Sequence, residues 1–297
     1  MRHHFDAPMR WADLDQLGHV NNVIFVDYLQ EARVDMLRVH APDTRAGKLA
    51  DGVVVVRHSV SFETPLTFSS GSVHRQSVTI ESWITEIRAA SFTIAYEVVT
   101  GAGADRVTFA RASTVLTPYV FAAGRPRRIT AEERIGLERY LEPSAALPRR
   151  PRSNRAESEH GYYPAHVRFS DVDAYGHVNN VKYFEYLQEA RIALLAGRWS
   201  QFAPGGEVPQ LLVTHTEVDY RVPLLFRSEP YDVWTWVTEV ADSSVVIDAE
   251  ICDGPEVAAR ARNVLVAFDP ATGRGRALPE TVRQVLAAGA DGRSLSA

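Results

Sequence analysis

The chain of 297 residues contains a single cysteine, Cys252. One cysteine excludes an internal disulfide and any zinc site built from several cysteines. No apolar run of about 18 residues occurs, so we expect neither a membrane-spanning helix nor a membrane partner. The opening residues MRHHFDAPMRW lack the apolar core of a secretory signal. Together these absences predict a cytoplasmic protein.

An excess of positive charge is also lacking, because the formal net charge is −5. This balance gives no reason to expect a nucleic-acid partner. The hydrophobic content of 45% and the charged content of 23% are typical of a globular chain with a real core. The length predicts about two domains of about 150 residues each.

What the chain does have is an internal repeat. Residues 13–33 read DLDQLGHVNNVIFVDYLQEAR, and residues 171–191 read DVDAYGHVNNVKYFEYLQEAR. Fourteen of these 21 positions are identical at a constant offset of 158, which chance cannot produce. Further matches pair SFETPLTFSS with DYRVPLLFRS, WITEI with WVTEV, and ARASTVL with ARARNVL, at offsets of 158, 153 and 149. The falling offset indicates short deletions in surface turns.

Each copy predicts the same order of elements. A short strand precedes the motif, over MRWAD and HVRFSD, and a helix follows, from about Asn22 to Arg38 and from about Asn180 to Arg198. Runs rich in β-branched and aromatic residues then predict four strands per copy. These strands lie at about 52–62, 73–87, 90–100 and 106–118, and at about 209–220, 230–240, 243–252 and 256–268. The pattern predicts an α+β fold in which an antiparallel sheet packs on one long helix.

The repeat also predicts the domain boundaries: an N-terminal domain over 1–128, a connection over 129–161 and a C-terminal domain over 162–297. The connection begins with ITAEERIGLERYLEP, which predicts a helix with Thr130 as N-cap and Glu133 completing a capping box. A polar, basic and proline-rich linker follows. A matching helix is predicted at about 279–288, and the final DGRSLSA should fray.

The repeated residues are mostly polar, which indicates a repeated site rather than a repeated core. Asp15 and Asp173 come just before a helix N-terminus, where unpaired N–H groups can hold the oxygen of a polarised carbonyl. A carboxylate at this position can act as a base on water or attack directly. The other repeated polar and glycine positions are Gly18, His19, Asn21 and Asn22 and their counterparts Gly176, His177, Asn179 and Asn180.

Each of these residues also has a structural interpretation. Asp13 is expected to be a turn or cap residue, and an isolated His19 would be a hydrogen-bonded structural histidine. Gly18 and Gly176 allow a tight backbone path, while the asparagines cap the helix or point amides into the site. Within the helices we expect ion pairs or interface contacts from Glu31, Arg33, Glu189 and Arg191.

The pattern DxDxxGHVNN, followed by an aromatic residue and ExAR, resembles the hotdog-fold acyl-CoA thioesterases. It is similar to the 4-hydroxybenzoyl-CoA thioesterase-like group and to the plant acyl-carrier-protein thioesterases. The resemblance implies two tandem hotdog domains, each an antiparallel sheet wrapped around a long central helix, that form a pseudo-dimer. We expect no cofactor, because the CoA thioester is the substrate, and no metal, because no metal-ligand spacing appears in the sequence. Two such chains are expected to form a homodimer.

The resemblance also implies roles for individual residues. It places the catalytic carboxylate on Asp15 and Asp173, the amide that binds the thioester oxygen on or next to Asn22 and Asn180, and a catalytic histidine on His19 and His177. The acyl-carrier-protein enzymes have an asparagine two positions after the acid, where this chain has Leu17 and Tyr175. That departure favours a mechanism centred on the carboxylate.

Two further sets of residues are candidates. Coenzyme A carries phosphates, so arginines after the last strand of each copy are expected to contact it. These weaker candidates are Arg125, Arg127, Arg128 and Arg274. Strand residues expected either to complete the site of the opposite copy or to lie on the surface are His58, Glu63, His215 and Arg221.

The predicted function is hydrolysis of an acyl-CoA thioester to a carboxylic acid and free CoA. One alternative is hydration or dehydration of an acyl thioester, although the HVNN run does not resemble the histidine motifs of hotdog dehydratases. Another is a non-catalytic acyl-CoA-binding module, against which both acids argue. The acyl group, the choice between CoA and acyl carrier protein, and the equivalence of the two sites stay open at this stage.

Overall fold

A computed structural model describes residues 1–40, 43–44, 47–48, 52–68, 76–144, 155, 161–202, 210–269 and 274–287. The chain divides into two compact units, an N-terminal unit (Met1–Pro148) and a C-terminal unit (Arg149–Ala297). Most of the predicted linker and the final DGRSLSA lie outside the described residues. Within the described ranges, no helix has the length and apolar character that crossing a membrane requires.

Among its described residues, the N-terminal unit contains one main antiparallel sheet, a separate pair of short strands and two α-helices. Its elements are β1 (His3–Pro8), α1 (Asn22–His40), β2 (Asp43–Thr44), β3 (Gly47–Lys48), β4 (Val53–Phe62), β5 (Ser77–Ile87), β6 (Phe92–Thr100), β7 (Val107–Val120), β8 (Arg125–Pro126) and α2 (Ala131–Glu138). The five main strands follow the order β1-β5-β6-β7-β4. The short β8 pairs with the end of β7, and β2 pairs with β3.

The C-terminal unit repeats this arrangement. Its elements are β9 (Tyr162–Ala165), α3 (Lys182–Phe202), β10 (Leu211–Tyr220), β11 (Tyr231–Val240), β12 (Ser244–Asp253), β13 (Glu256–Asp269), β14 (Arg274–Gly275) and α4 (Glu280–Ala287). The main strands follow the order β9-β11-β12-β13-β10, again antiparallel. The predicted α+β class and the repeat of one antiparallel sheet per copy are therefore confirmed.

The core of each unit lies between the motif helix and one face of its sheet. The residues predicted for the apolar helix face are all buried: Phe25, Leu29, Ala32 and Met36 in α1, and Tyr183, Leu187, Ala190 and Leu194 in α3. In β6 every second residue, Phe92, Ile94, Tyr96 and Val98, is buried as well. Each such large side chain contributes about 1.5–3 kcal/mol by leaving water, which holds the helix on the sheet.

Each motif helix also buries the arginine of its motif, Arg33 or Arg191, while Glu31 and Glu189 are exposed. Residues two apart on a helix face different directions, which explains this separation. Arg191 donates from Nη1 to the Oδ1 atom of Asn263 at 3.4 Å, and burial lowers the pKa of this arginine to about 10. Arg191 therefore packs into the core and makes no ion pair within the described residues.

The residues immediately before each motif are not strands, so that prediction was wrong. Trp11–Asp13 and Phe169–Asp171 each form one turn of 3-10 helix, and the strands β1 and β9 end earlier. The reason is the aspartate that closes each turn. The backbone N–H of Arg10 donates to Asp13 Oδ2 at 2.7 Å, and the N–H of Asp13 donates back to the Arg10 carbonyl at 3.0 Å.

Candidate active site

The acid of each motif sits in a closed turn that ends at a helix. The Asp15 N–H donates to the His19 carbonyl at 2.7 Å, and the Gly18 N–H donates to the Asp15 carbonyl at 3.1 Å. Gly18 has φ of +75°, a left-handed conformation that favours glycine. The Val20 N–H then donates to the Leu66 carbonyl at 2.8 Å, which anchors the turn to the segment after β4.

One carboxylate oxygen of Asp15 is held by the backbone. Its Oδ1 atom accepts hydrogen bonds from the N–H groups of Leu17 at 2.8 Å and His19 at 3.0 Å. Its Oδ2 atom has no hydrogen-bond partner in the described part of the chain, and the residue is half-buried. The carboxylate is thus oriented by one oxygen and can bind a water molecule with the other.

The C-terminal unit builds the same turn. Asp173 Oδ1 accepts from the N–H groups of Tyr175 at 2.8 Å and His177 at 3.3 Å. The Gly176 N–H donates to the Asp173 carbonyl at 3.1 Å, and Gly176 has φ of +80°. The two acids are therefore equivalent in their backbone geometry.

The asparagines after each turn begin the helix. Asn21 Oδ1 accepts from the Val23 N–H at 3.1 Å, and its carbonyl accepts from the Ile24 N–H at 2.9 Å. Asn21 is therefore a capping residue. The N–H of Asn22 has no partner among the described residues, which leaves a donor at the positive end of α1.

Asn179 repeats this capping role in the C-terminal unit. Its Oδ1 accepts from the Val181 N–H at 3.2 Å, and its carbonyl accepts from the Lys182 N–H at 2.9 Å. The helix α3 begins at Lys182, two residues later than the predicted start at Asn180. Asn180 therefore lies in the turn that leads into the helix.

The first aspartate of each motif has a structural place. Tyr28 donates its hydroxyl to Asp13 Oδ2 at 2.6 Å, and Tyr186 donates to Asp171 Oδ2 at 2.7 Å. Both aspartates are buried, and desolvation together with the adjacent carboxylate raises the pKa of each tyrosine. These contacts confirm Asp13 as a turn residue and separate it from Asp15.

The histidines of the motif hold the turn through their backbones. His19 forms an isolated β-bridge with Thr67, and His177 forms one with Leu225. Each histidine also donates its N–H to the acid four residues earlier. A catalytic role for either imidazole stays a prediction.

The candidate phosphate-binding arginines do not meet the motif of their own unit. Phe62, near the first motif, pairs with Ala110 of β7, whereas Arg125 pairs with Val120 of the same strand. Ten residues of strand separate these points by about 33 Å. Arg274 likewise pairs with Asp269, at the end of β13.

Arg127 has a structural partner. Its two Nη atoms donate to the carboxylate of Glu133 at 2.8 and 2.6 Å, and Glu133 is fully buried. Glu133 also completes the predicted capping box with Thr130, which is confirmed. Arg127 therefore stabilises the start of α2, while phosphate contacts by Arg125, Arg128 and Arg274 stay predictions.

The strand residues expected to complete a site or to lie on the surface have different surroundings from one another. His58 is not a surface residue, because it is fully buried in the core of its own unit and hydrogen-bonded to Thr114 at 2.9 Å. Glu63 forms an ion pair with Arg111. His215 lies 3.4 Å from Glu217, measured between Nε2 and Oε1. Alternation alone could not reveal that His58 faces the helix.

Sequence reasoning missed the aromatic residues around the motif. An aromatic pair flanks each turn, Trp11 with Phe68 and Phe169 with Phe226, and all of these side chains except the half-buried Phe68 are exposed. In the C-terminal unit, the hydroxyls of Tyr183, Tyr220 and Tyr231 also bond to the segments that hold the motif. The detectable signal was the exchange of Phe or Val for Tyr at matching repeat positions.

No group of three or more His, Cys, Asp or Glu side chains in the described ranges could hold a metal ion.

Comparison with known proteins identifies related families and folds. The model of the thioesterase-like superfamily matches residues 9–134 and 167–286. A provisionally assigned oleoyl thioesterase from Lactobacillus plantarum is similar in structure, with a TM-score of 0.69 and 19% identity over 91% of this chain and 97% of that one. No curated protein matches the sequence.

Two further structures support the same fold. The 12:0-ACP thioesterase of Umbellularia californica has a TM-score of 0.67 and 16% identity over 89% of this chain and 93% of that one. An acyl-ACP thioesterase from Bacteroides thetaiotaomicron has a TM-score of 0.61 and 13% identity over 88% of this chain and 96% of that one. At these identities the likeness shows the fold.

Proposed function

This chain belongs to the thioesterase-like superfamily, and we propose that, as a thioesterase, it hydrolyses acyl-CoA to a carboxylic acid and free CoA. One observation carries the proposal: in the N-terminal unit an oriented carboxylate precedes a helix start, and one carboxylate oxygen and one N–H of the helix start have no partner among the described residues. The C-terminal unit repeats the carboxylate and its turn. These are the two groups that water attack on a thioester carbonyl needs.

The proposed reaction proceeds through a tetrahedral intermediate. The Asn22 N–H and the positive end of α1 bind the thioester oxygen, which gains negative charge as the reaction proceeds. Asp15 Oδ2 accepts a proton from water while the water oxygen bonds to the carbonyl carbon. The intermediate collapses, the C–S bond breaks, and the departing sulfur takes the proton from Asp15. In the C-terminal unit Asp173 acts as the base, and the thioester oxygen binds on or next to Asn180.

Direct attack by the aspartate is the mechanistic alternative. The carboxylate would then displace the thiolate and form a mixed anhydride, which water hydrolyses. After a single turnover in ¹⁸O-labelled water, label in the protein would establish attack by Asp15. Attack by water places the label in the released acid, whereas attack by Asp15 followed by hydrolysis at its own carbonyl leaves the label in the protein.

Two other functions predict different products. A hydratase would remove the absorbance of an enoyl-CoA without releasing thiol, and a binding module would retain acyl-CoA without any turnover. The carrier is a separate question, because two structural relatives are acyl-ACP thioesterases. A panel of acyl-CoA and acyl-ACP substrates with matched acyl groups would identify the preferred carrier and chain.

The decisive experiment replaces both acids by their uncharged isosteres. The double variant Asp15→Asn and Asp173→Asn should lose thiol release, measured with a thiol-reactive dye, while circular dichroism and thermal unfolding stay unchanged. Asp6→Asn is the control, because it alters an exposed carboxylate on β1. Full activity in the double variant would show that these acids are not the catalytic groups.

The finer architecture is part of the proposal. We propose that each sheet wraps around its long helix, that the two units form a pseudo-dimer, and that the protein acts in the cytoplasm. We also propose that two chains form a homodimer. Light scattering during size-exclusion chromatography measures the mass, and a mass of one chain, 33.0 kDa, would contradict the homodimer.

A further inference from the structure

Three positions beside the motif carry a hydroxyl in one unit only. Phe25, Phe62 and Val78 of the N-terminal unit correspond to Tyr183, Tyr220 and Tyr231 of the C-terminal unit, at repeat offsets of 158, 158 and 153. The strand pairing agrees with this alignment, because Val78 pairs with Ala7 and Tyr231 pairs with Ala165. The three hydroxyls are therefore additions to one framework.

The aromatic packing itself is the same in both units. The rings of Phe25 and Phe62 meet edge to face at 5.4 Å, and those of Tyr183 and Tyr220 meet edge to face at 5.0 Å. The added hydroxyl of Tyr220 donates to the Asn180 carbonyl at 2.8 Å. It thereby fixes the peptide group at the start of the turn that leads into α3.

The other two hydroxyls hold the segment between β10 and β11. Tyr183 accepts from the Leu224 N–H at 2.9 Å, and the Leu224 carbonyl in turn accepts from Val178 of the motif at 2.8 Å. Tyr231 accepts from the Leu225 N–H at 2.9 Å and donates to the Leu225 carbonyl at 3.1 Å. Leu224 and Leu225 are the residues to which the end of the motif turn is anchored.

We propose that Tyr183, Tyr220 and Tyr231 form a tyrosine frame that positions the C-terminal motif, so that its site turns over faster than the N-terminal site. The kinetic part rests on the proposed function. Each hydroxyl adds a hydrogen bond to a backbone group, and each added bond makes local opening rarer. A carboxylate and an N–H that hold their places need less reorganisation as charge develops on the thioester oxygen.

The frame has a test that does not depend on activity. His19 and His177 donate their N–H groups to equivalent acids, so one hydrogen-exchange experiment compares two matched turns in the same molecule. The 171–178 segment should exchange roughly tenfold more slowly than the 13–20 segment. The triple variant Tyr183→Phe, Tyr220→Phe and Tyr231→Phe should remove this difference. Equal exchange in the two wild-type segments would overturn the frame.

The N-terminal unit supplies the reciprocal variant. Phe25→Tyr with Phe62→Tyr adds two of the hydroxyls and should slow exchange in the 13–20 segment. Tyr162→Phe is the control, because it removes an exposed hydroxyl on β9 that bonds Asp232. It should leave exchange in both motif segments unchanged.

The kinetic consequence is measured one site at a time. Asp15→Asn isolates the C-terminal site and Asp173→Asn isolates the N-terminal site, and the first variant should have the higher kcat. Adding the three Tyr→Phe changes should lower kcat about tenfold with little change in KM, because the frame positions groups that act on the transition state. A fall in thermal stability without any change in kcat would leave the hydroxyls a purely structural role and contradict the proposal. If neither single-site variant hydrolyses any thioester, the proposed function fails while the exchange experiment still judges the frame.

Discussion

The hydroxyl of Tyr28 lies 2.6 Å from Asp13 Oδ2, and both residues are buried in the N-terminal unit. The carboxylate of Asp13 therefore accepts hydrogen bonds from both Tyr28 and Arg10, whereas Asp15, two residues later, keeps one oxygen without a partner in the described part of the chain. The two aspartates of one motif thus have different roles. One holds the turn, and the other faces the proposed reaction.

This division predicts how Tyr28→Phe behaves. The change removes a hydrogen bond to a buried carboxylate and should lower the free energy of unfolding by about 1.5–3 kcal/mol. Chemical denaturation measures the loss, and Tyr186→Phe should give a similar one because it releases Asp171. The exposed Tyr162→Phe serves as the control. A loss below about 0.5 kcal/mol would show that the contact contributes little.

The glycine of the turn gives a second prediction. An alanine at Gly18 meets no atom within 4 Å, so its cost comes from φ of +75° alone, about 1–2 kcal/mol. Gly103 has φ of +58° and equally open surroundings, but it lies in a turn before β7. Gly18→Ala and Gly103→Ala should therefore lower thermal stability similarly.

Only the first of these variants should affect the chemistry. Assayed in the Asp173→Asn background, Gly18→Ala should reduce kcat/KM by tenfold or more, because it moves the acid relative to the helix start. Gly103→Ala should leave kcat/KM in that background unchanged. Equal kcat/KM for the two variants would show that the turn at Gly18 does not position Asp15.

Much of this architecture could be predicted, because long helices and strands have a regular spacing of apolar residues in the sequence. The buried face of α1 and the alternation of β6 follow from residue spacing alone. The 3-10 turn at Trp11–Asp13 could not be predicted in this way, since apolar Trp11 suggests a strand and only the contacts of Asp13 close the turn. Local side-chain hydrogen bonds override propensity over such short segments.

The candidate site, like the fold, could be predicted from the sequence only in part. The repeat singled out Asp15 and Asp173 because polar residues recurred in order, and the structure supplies the backbone donors that orient them. Distances along the strands of the sheet could not be predicted from the sequence. Arg125 follows the last strand of its copy in sequence, yet β7 runs the length of the sheet and carries it away from the motif of its unit. Sequence order could not reveal which end of the strand faces the site.

The arginines therefore yield a third prediction, which separates structure from substrate binding. Arg127→Ala leaves the buried Glu133 without its bidentate partner and should cost about 3 kcal/mol of stability. Arg125→Ala and Arg128→Ala change exposed residues and should leave thermal unfolding unaltered. If Arg125 and Arg128 contact CoA phosphates, the two alanine variants should have a KM for acyl-CoA that is several-fold higher than that of the wild type. Added salt should reduce this difference in KM. An unchanged KM would remove both from the binding surface.

The fully buried His58 gives the fourth prediction, a dependence of stability on pH. Desolvation, together with the charge of Arg33, lowers the pKa of His58 well below 6.5. The unfolded chain therefore takes up a proton near pH 6.5 that the folded chain does not. The contribution of His58 to the free energy of unfolding is fully present above pH 6.5. It decreases as the pH drops, by roughly 1.4 kcal/mol for each pH unit for this one histidine.

The C-terminal unit provides the matched replacement for this prediction. Thr216 and Asn263 stand where the N-terminal unit has His58 and Thr114, and Thr216 donates to Asn263 Oδ1 at 2.9 Å. The double change His58→Thr with Thr114→Asn should therefore keep a buried hydrogen bond while removing the titrating group. Denaturation between pH 5 and 7 should show a shallower loss in this variant than in the wild type. Burial and the adjacent His3 also lower the pKa of His40. His40→Gln should therefore remove a separate part of the dependence of stability on pH. If the His58 variant shows the same dependence as the wild type, other groups account for the whole effect.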